Sequence, residues 1–332
     1  MDEIITLDYG SGGKKTARLI EKLIVPALSN PALDALGDGA IVEGAEKLAF
    51  STDSFVVDPI FFPGGDIGKL SVCGTVNDLA MCGAEPKYLS CSFIIEEGLP
   101  VEDLEKIVES IRCTAERAGV QVVTGDTKVV ERGRGDKIYI NTAGIGFVKY
   151  PGLSPKKLRD GDAVIVSGMV GDHGTAIMLA RSGMMQGKIM SDCAPLNGLC
   201  EAIFGTGAEV RVLRDPTRGG VATTLNEFIE GTALGIELYE DKIPVRDQVR
   251  SACDMLGLDP LYCANEGKLL AVAAADDAER VLSAMRETEE GRDAAIIGRV
   301  SAGYPGKLVM DTAFGGKRIL QKLTGAQLPR IC

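Results

Sequence analysis

The last residue is a cysteine. Cys332 closes the run Gln327-Leu328-Pro329-Arg330-Ile331-Cys332, and a thiol at the tip of a terminal segment can carry a bound group from one site to another. Arg330 favours the nucleophilic thiolate, whereas the adjoining terminal carboxylate opposes it. The plain alternative is a frayed end that happens to finish in Cys. A prenylation signal is excluded, because that signal's cysteine stands fourth from the end.

Acids form a second set. Asp38 in Gly37-Asp38-Gly39-Ala40, Asp53 in Ser51-Thr52-Asp53-Ser54, Asp78 in Asn77-Asp78-Leu79-Ala80, Asp126 in Gly125-Asp126-Thr127 and Asp215 in Arg214-Asp215-Pro216-Thr217 sit at element ends or inside apolar stretches. Magnesium takes oxygen ligands and bridges nucleotide phosphates, so acids placed this way suit a Mg-ATP site. Each could equally be a cap or turn residue, a reading that fits Asp78 least because it falls midway along an apolar helical pattern. Lys128 in Thr127-Lys128-Val129-Val130 and Arg218 in Thr217-Arg218-Gly219-Gly220 could neutralise triphosphate charge, or simply be surface charges. Glu266 in Ala264-Asn265-Glu266-Gly267-Lys268 precedes an apolar strand, where partial burial would fit it for proton transfer; a solvated turn glutamate is the alternative.

Small residues in Gly10-Ser11-Gly12-Gly13-Lys14 could let N–H groups and a lysine approach phosphate oxygens. A Walker loop would need glycine where Asp8 stands and Ser or Thr where Lys15 stands, so a flexible turn remains open. His173 is the single histidine, which excludes a multi-histidine metal site and leaves it a supporting role.

Positioning these residues requires regular elements. Leu19, Ile20, Leu23 and Ala27 predict a helix over 16–28, and a strand follows over 48–57 carrying Asp53. Asp66 is a plausible cap for the helix that holds Asp78, with Leu70, Cys73, Val76, Leu79 and Ala80 inward and Gly83 and Pro86 ending it. A strand over 87–95 leads to a helix opened by Pro100 and stopped by Gly119, whose inward residues are Leu104, Ile107, Val108, Ile111 and Ala115. Strands over 120–124 and 138–148 close the half. The second half predicts strands over 163–167, 235–240, 269–274 and 294–300. Helices are expected from Thr175 onward and over 194–204, 219–230, 245–256 and 278–286, with His173 in the loop before the first. After Phe314, Gly315, Gly316, Gly325 and Pro329 predict a mobile arm, which from Gly316 could extend about 50 Å at about 3.3 Å per residue.

Composition sets the class. A length of 332 residues favours two domains of roughly 150 residues each, assigned as 1–150 and 155–312, with a tail over 313–332. Hydrophobic residues make up 45%, ample for packed cores, but no run nears the roughly 18 apolar residues of a membrane span. The acidic N-terminus has no basic segment followed by an apolar one, so a cytoplasmic protein is expected. With 36 Lys and Arg against 47 acids and a net charge of −11, nucleic acid is not an expected partner. Nine cysteines without a Cys-x-x-Cys pair exclude a zinc ribbon or thioredoxin-type site, and most should be small buried residues.

Longer motifs point to a family. Phe50-Ser51-Thr52-Asp53-Ser54-Phe55-Val56-Val57, Phe61-Phe62-Pro63-Gly64-Gly65-Asp66-Ile67-Gly68-Lys69-Leu70, Gly74-Thr75-Val76-Asn77-Asp78-Leu79-Ala80-Met81 and Thr124-Gly125-Asp126-Thr127-Lys128-Val129-Val130 resemble the HypE family of hydrogenase maturation factors. So do Ser167-Gly168 through Gly171-Asp172-His173-Gly174, Arg214-Asp215-Pro216-Thr217-Arg218-Gly219-Gly220, Asn265-Glu266-Gly267-Lys268-Leu269 and Pro329-Arg330-Ile331-Cys332. The resemblance spans essentially the whole chain. Tyr9, Gly37 and Ala326 depart from the residues usual in that family.

That family lies in the superfamily of aminoimidazole ribonucleotide synthetase, selenophosphate synthetase and thiamine-monophosphate kinase. The resemblance therefore implies a PurM-like α/β (α+β) fold: an N-terminal mixed sheet that forms a homodimer and the ATP site, a C-terminal α/β sandwich and a flexible tail. It implies that the carbamoyltransferase HypF places a carbamoyl group on Cys332, that ATP drives its dehydration to a thiocyanate, and that the cyano group passes to the HypC–HypD complex for [NiFe]-hydrogenase iron. By the same resemblance Gly12, Gly13, Lys14, Thr52, Asp53, Asn77, Asp78, Gly125, Asp126, Lys128 and Arg218 would bind ATP. Asp38, Asp53, Asp78, Asp126 and Asp215 would serve Mg2+, and Glu266 would be the base, with Asp78 and Lys128 catalytic beside Cys332. A selenophosphate synthetase-like enzyme is the alternative, but it needs a reactive Cys or selenocysteine near its N-terminus and none precedes Cys73. A non-enzymatic thiol carrier is the other, and it would not hydrolyse ATP.

Overall fold

The computed structural model describes residues 3–11, 13–36, 39–183 and 189–323. They form two compact units, the first taking the chain up to Lys149 except Met81–Gly83, which belongs with the second from Tyr150 onward.

The first unit opens with a 3-10 turn, Leu7–Gly10, and then departs from the single helix expected over 16–28. The chain instead forms α1 (Lys14–Leu19), a π-helical turn (Ile20–Ile24) and α2 (Val25–Leu28). Pro26 has no N–H to complete an ordinary turn, and Val25 N reaches back five residues to the Ile20 carbonyl. Leu19 and Leu23 stay buried.

The sheet of this unit contains β1 (Leu48–Phe55), and a small hairpin of β2 (Phe61–Phe62) and β3 (Gly65–Asp66) leads into α3 (Ile67–Met81). Then come β4 (Ala84–Glu96), α4 (Val101–Ala118), β5 (Gln121–Val130) and β6 (Ile138–Val148). The strand order is β1-β6-β4-β5, antiparallel except for β4 with β5. Asp66 does cap α3, its Oδ1 accepting from Gly68 N at 2.7 Å and Lys69 N at 3.1 Å. That helix is apolar on nearly all sides and lies buried. In α4 the five expected residues, Leu104, Ile107, Val108, Ile111 and Ala115, are buried, joined by Val101, Thr114 and Ala118, and Gly119 ends it in a left-handed cap at φ +69°.

One sheet face meets α3, where Gly144 leaves room for Leu79 and Thr75. Leu89, Cys91, Phe93 and Ile95 line this covered face. The opposite face leaves Leu48, Phe50 and Ile94 exposed, at 51%, 71% and 44%. Strand β5 runs six residues beyond the end expected at Thr124, so Asp126 and Lys128 sit on a strand rather than after one.

Among the described residues the second unit has seven strands: β7 (Ala163–Val166), β8 (Val210–Arg214), β9 (Gly235–Tyr239), β10 (Leu270–Ala273), β11 (Ala295–Ser301), β12 (Leu308–Asp311) and β13 (Lys317–Leu320). Their order is β13-β12-β9-β11-β7-β10-β8, with β12 and β9 the parallel pair. Helices α5 (Asp172–Ser182), α6 (Asn197–Gly205), α7 (Gly220–Ile229), α8 (Asp247–Leu256) and α9 (Ala278–Arg286) accompany it. Val164, Leu225, Phe228, Leu238, Val272 and Ile297 anchor the core. A buried ion pair, Arg211 Nε to Asp162 Oδ2 at 3.0 Å, ties β8 to the chain before β7.

Two expectations change here. Helix α5 begins at Asp172, so His173 lies in its first turn and not in a loop. The expected arm from Phe314 is shortened, because Gly315 (φ +83°) forms a tight turn, Thr312 N donates to Gly316 O at 2.8 Å, and β13 pairs with β12. Gly315 and Gly316, two of the residues that suggested a mobile segment, are turn residues of a hairpin, and Gly325 and Pro329 lie outside the described residues. Among the described residues no helix is long and apolar enough to cross a membrane.

At Gly125 β5 lies close against β4, since a Cβ there would stand 2.1 Å from the Cys91 carbonyl oxygen. Gly125→Ala should therefore force the two strands apart and destabilise the first unit by about 1–3 kcal/mol, read as a lower urea midpoint. An unchanged midpoint would show that the strands yield without strain.

Candidate functional site

In the first unit the strand register sorts the candidate residues by face. One row across the sheet runs Asp53, Thr142, Cys91, Gly125 and points to the α3 side; the next runs Ser54, Asn141, Ser92, Asp126 on the open side. Thr52, Asp126 and Lys128 thus share the open face, where Asn141 Nδ2 donates to Asp53 O at 2.9 Å and to Ser54 Oγ at 3.0 Å. Lys128 Nζ stands 2.8 Å from Asp126 Oδ2, both side chains largely exposed, and this lysine holds the Asp126 carboxyl below its ordinary range.

The glycine loop abuts the same strand. A Cβ on Gly10 would stand 2.4 Å from Val129 N, so Gly10 lies against β5. Gly13 precedes α1 and Lys14 is exposed. Since α1 is only six residues long, the loop's own N–H groups and Lys14, rather than a long helix dipole, are what it could offer a phosphate. A cavity of about 370 Å³ opens next to it, lined by Ile20, Ile24, Leu33, Phe93, Gly125 and Asp126 among others.

Beneath the sheet is a second polar group that the sequence reading missed. Ser51 Oγ donates to Asp78 Oδ2 at 2.6 Å, and Thr75 Oγ1 and Thr142 Oγ1 are 2.6 Å apart. Asp78 is half-buried and Asn77 fully so on α3. These hydroxyls explain how an acid is held midway along an apolar helix.

Within the first unit, the described acids Asp53 and Asp126 do not meet. Asp53 and Asp126 occupy the two edge strands, three strand spacings or about 14 Å apart, and among the described residues no three His, Cys, Asp or Glu side chains come together to hold an ion. Asp126 is already committed to Lys128. Such a donor set fits magnesium that arrives with a triphosphate and takes one or two carboxylates.

In the second unit Asn265 binds three motifs together. It is wholly buried; its Oδ1 accepts from Gly171 N at 2.7 Å and its Nδ2 donates to Pro216 O at 3.1 Å and Cys263 O at 3.0 Å. The Asp215–Arg218 turn and the Glu266 turn are thereby held side by side, Asp215 and Glu266 buried and Arg218 exposed. Gly219 and Gly220, at φ +75° and +61°, start α7 against the carbonyls of Leu261 and Cys263. Glu266 N donates to Asp192 Oδ1 at 3.1 Å.

His173 Nδ1 lies 2.8 Å from Ser191 Oγ, and burial lowers its pKa to about 4, so it stays neutral in ordinary buffers. Burial pushes the neighbouring Asp172 carboxyl up, against the pull of Arg246 at 3.0 Å. Of the cysteines, Cys73, Cys91, Cys193, Cys200, Cys253 and Cys263 are buried and unbridged, as their apolar surroundings suggested. Gly12, Asp38 and the terminal Arg330 and Cys332 lie outside the described residues.

Comparison with known proteins places these motifs. Residues 36–148 match the N-terminal domain of AIR synthase related proteins and 159–311 the C-terminal domain. The carbamoyl dehydratase HypE of Azotobacter vinelandii is 51% identical over 99% of this chain and 97% of its own; that of Escherichia coli K12 is 46% identical over 99% of each. A crystal structure of hydrogenase maturation protein HypE in complex with ATP superposes with a TM-score of 0.94 at 50% identity, covering 98% of this chain and 99% of that one. A HypE–HypF complex superposes with a TM-score of 0.79 at 50% identity over 91% of this chain and 99% of its HypE. The chain belongs to the carbamoyl dehydratase HypE family of hydrogenase maturation proteins.

Proposed function

We propose that this chain is an ATP-dependent carbamoyl dehydratase whose substrate is its own Cys332 bearing a carbamoyl group. What carries the reading is full-length likeness to HypE enzymes at about half identity, with every motif from Thr52 to Glu266 present in sequence. The HypE structures solved with ATP and with HypF support ATP as the driving nucleotide and HypF as the protein that loads the thiol. The HypC–HypD pair is the proposed acceptor of the cyano group.

The chemistry asks for leaving-group activation. Oxide cannot leave a thiocarbamate, R–S–C(=O)–NH₂, so the carbamoyl oxygen attacks the γ-phosphorus of ATP and ADP departs. One N–H proton is lost to give the O-phosphorylated imidate, and loss of phosphate with the second N–H proton leaves R–S–C≡N. Lys128 offsets triphosphate charge, with Thr52 and the Gly10–Lys14 N–H groups as its neighbours in binding. Glu266 accepts the nitrogen protons. Magnesium, when bound with the nucleotide, would neutralise and align the phosphates, and Asp53 and Asp78 would hold it.

The open sheet face of the first unit leaves apolar side chains in water. Leu48, Phe50 and Ile94 are too exposed there for a face left in water, and we propose that two copies pair through it as a homodimer.

Intact mass spectrometry of the protein supplied with its carbamoylating partner, carbamoyl phosphate and Mg-ATP should show one carbamoyl gained, then one water lost only with ATP. Cys332→Ala should show neither. An adduct that persists in Cys332→Ala would place the reacting group elsewhere. Lys128→Ala should weaken ATP binding about ten- to a hundredfold while leaving the carbamoyl adduct intact; an unchanged titration would remove Lys128 from the nucleotide site.

A further inference from the structure

We propose that Asp192 is the positioning residue for Glu266, fixing the base through its main chain without touching substrate. The proposal rests on the reading of Glu266 as the proton acceptor.

The main chain around Glu266 is gripped on every polar side. Its N–H donates to Asp192 Oδ1 at 3.1 Å, its carbonyl accepts from Ala194 N at 3.3 Å, and the next carbonyl, of Gly267, accepts from Lys268 Nζ at 2.7 Å. The two segments approach so closely that a Cβ on Gly267 would stand 1.8 Å from the Asp192 carbonyl oxygen. The preceding residue, Asn265, has no freedom left, its amide being spent on Gly171, Pro216 and Cys263. Of these restraints the Asp192 bond is the one a side chain makes directly to Glu266.

Asp192 is suited to the role. Its side chain is 3% exposed, and Oδ2 has Lys268 Nζ at 3.9 Å as its counter-charge. A carboxylate acceptor makes the stronger, charge-assisted kind of bond to an N–H. The residue before it is fixed in turn, since Ser191 Oγ bonds Cys193 N at 3.1 Å and faces His173 at 2.8 Å. The single histidine therefore acts at one remove, holding the segment that holds Glu266. Enclosure of the carboxylate keeps it off the substrate, which makes its effect one of placement; a base displaced by about 1 Å can cost on the order of a hundredfold in rate.

The test uses full-length protein, carbamoylated and given saturating Mg-ATP, with single-turnover loss of water followed by intact mass. Asp192→Ala should slow that step about ten- to a hundredfold with ATP affinity and carbamoylation unchanged. Asp192→Asn, which keeps Oδ1 as an acceptor, should stay within about threefold of wild type. Should the alanine chain not fold, Asp192→Ser, too short to reach, carries the same expectation. Glu266→Gln separates the two readings. If it stalls dehydration while the Asp192 variants run at the wild-type rate, the positioning role is overturned and the base survives. If Glu266→Gln runs at the wild-type rate, the base reading fails and takes Asp192 with it. Equal slowing in the alanine and asparagine variants together with weakened ATP binding would mark a general structural loss and also overturn the proposal.

Discussion

The parallel pairing of β4 with β5 is the constraint on which the first unit depends. It brings the Cys91 carbonyl so near Gly125 that only glycine fits, and it carries β5 on to Val130 as a straight edge. Because side chains alternate along a strand, that register sends Asp126 and Lys128 to the open face and Thr127 to the core. The glycine loop then has a fixed surface to lie against, with Gly10 pressed on Val129. A lysine that would otherwise be one more surface charge is held beside the Asp126 carboxylate.

The second unit reaches the same end by different means. Its candidate residues sit on turns between strands and helices, where nothing like a ladder holds them. Buried side-chain amide and carboxylate groups do so instead, Asn265 gathering three turns and Asp192 gripping one of them at Glu266. Buried polar groups of this kind are costly unless satisfied, so the network is rigid by necessity.

How much of this could be read from the sequence followed from how local each cause is. Asp66, Pro100 and Gly119 act within a turn of their own helices, and both helices fall where those residues put them. Asp126 and Lys128 pair two residues apart on one strand only because β5 runs past the end expected at Thr124. Non-local causes were not legible. The π turn after Leu19 depends on how Pro26 is accommodated, and β13 depends on an open edge at β12. The Asp192 bond to Glu266 spans 74 residues, and nothing in Met190-Ser191-Asp192-Cys193 distinguishes that acid from a loop aspartate. The scatter of Asp53 and Asp126 to opposite sheet edges likewise needs the strand order, which periodicity does not reveal.

The central claim is that ATP removes the carbamoyl oxygen as phosphate while the group rides on Cys332. It is tested most directly by loading the thiol with carbamoyl carrying ¹⁸O, adding Mg-ATP in ordinary water and weighing the inorganic phosphate released. Label in the phosphate, one atom for each thiocyanate formed, is the expected result. Unlabelled phosphate, with the heavy oxygen recovered in water, would mean that ATP is spent on something other than activating the carbamoyl group, and would contradict the account.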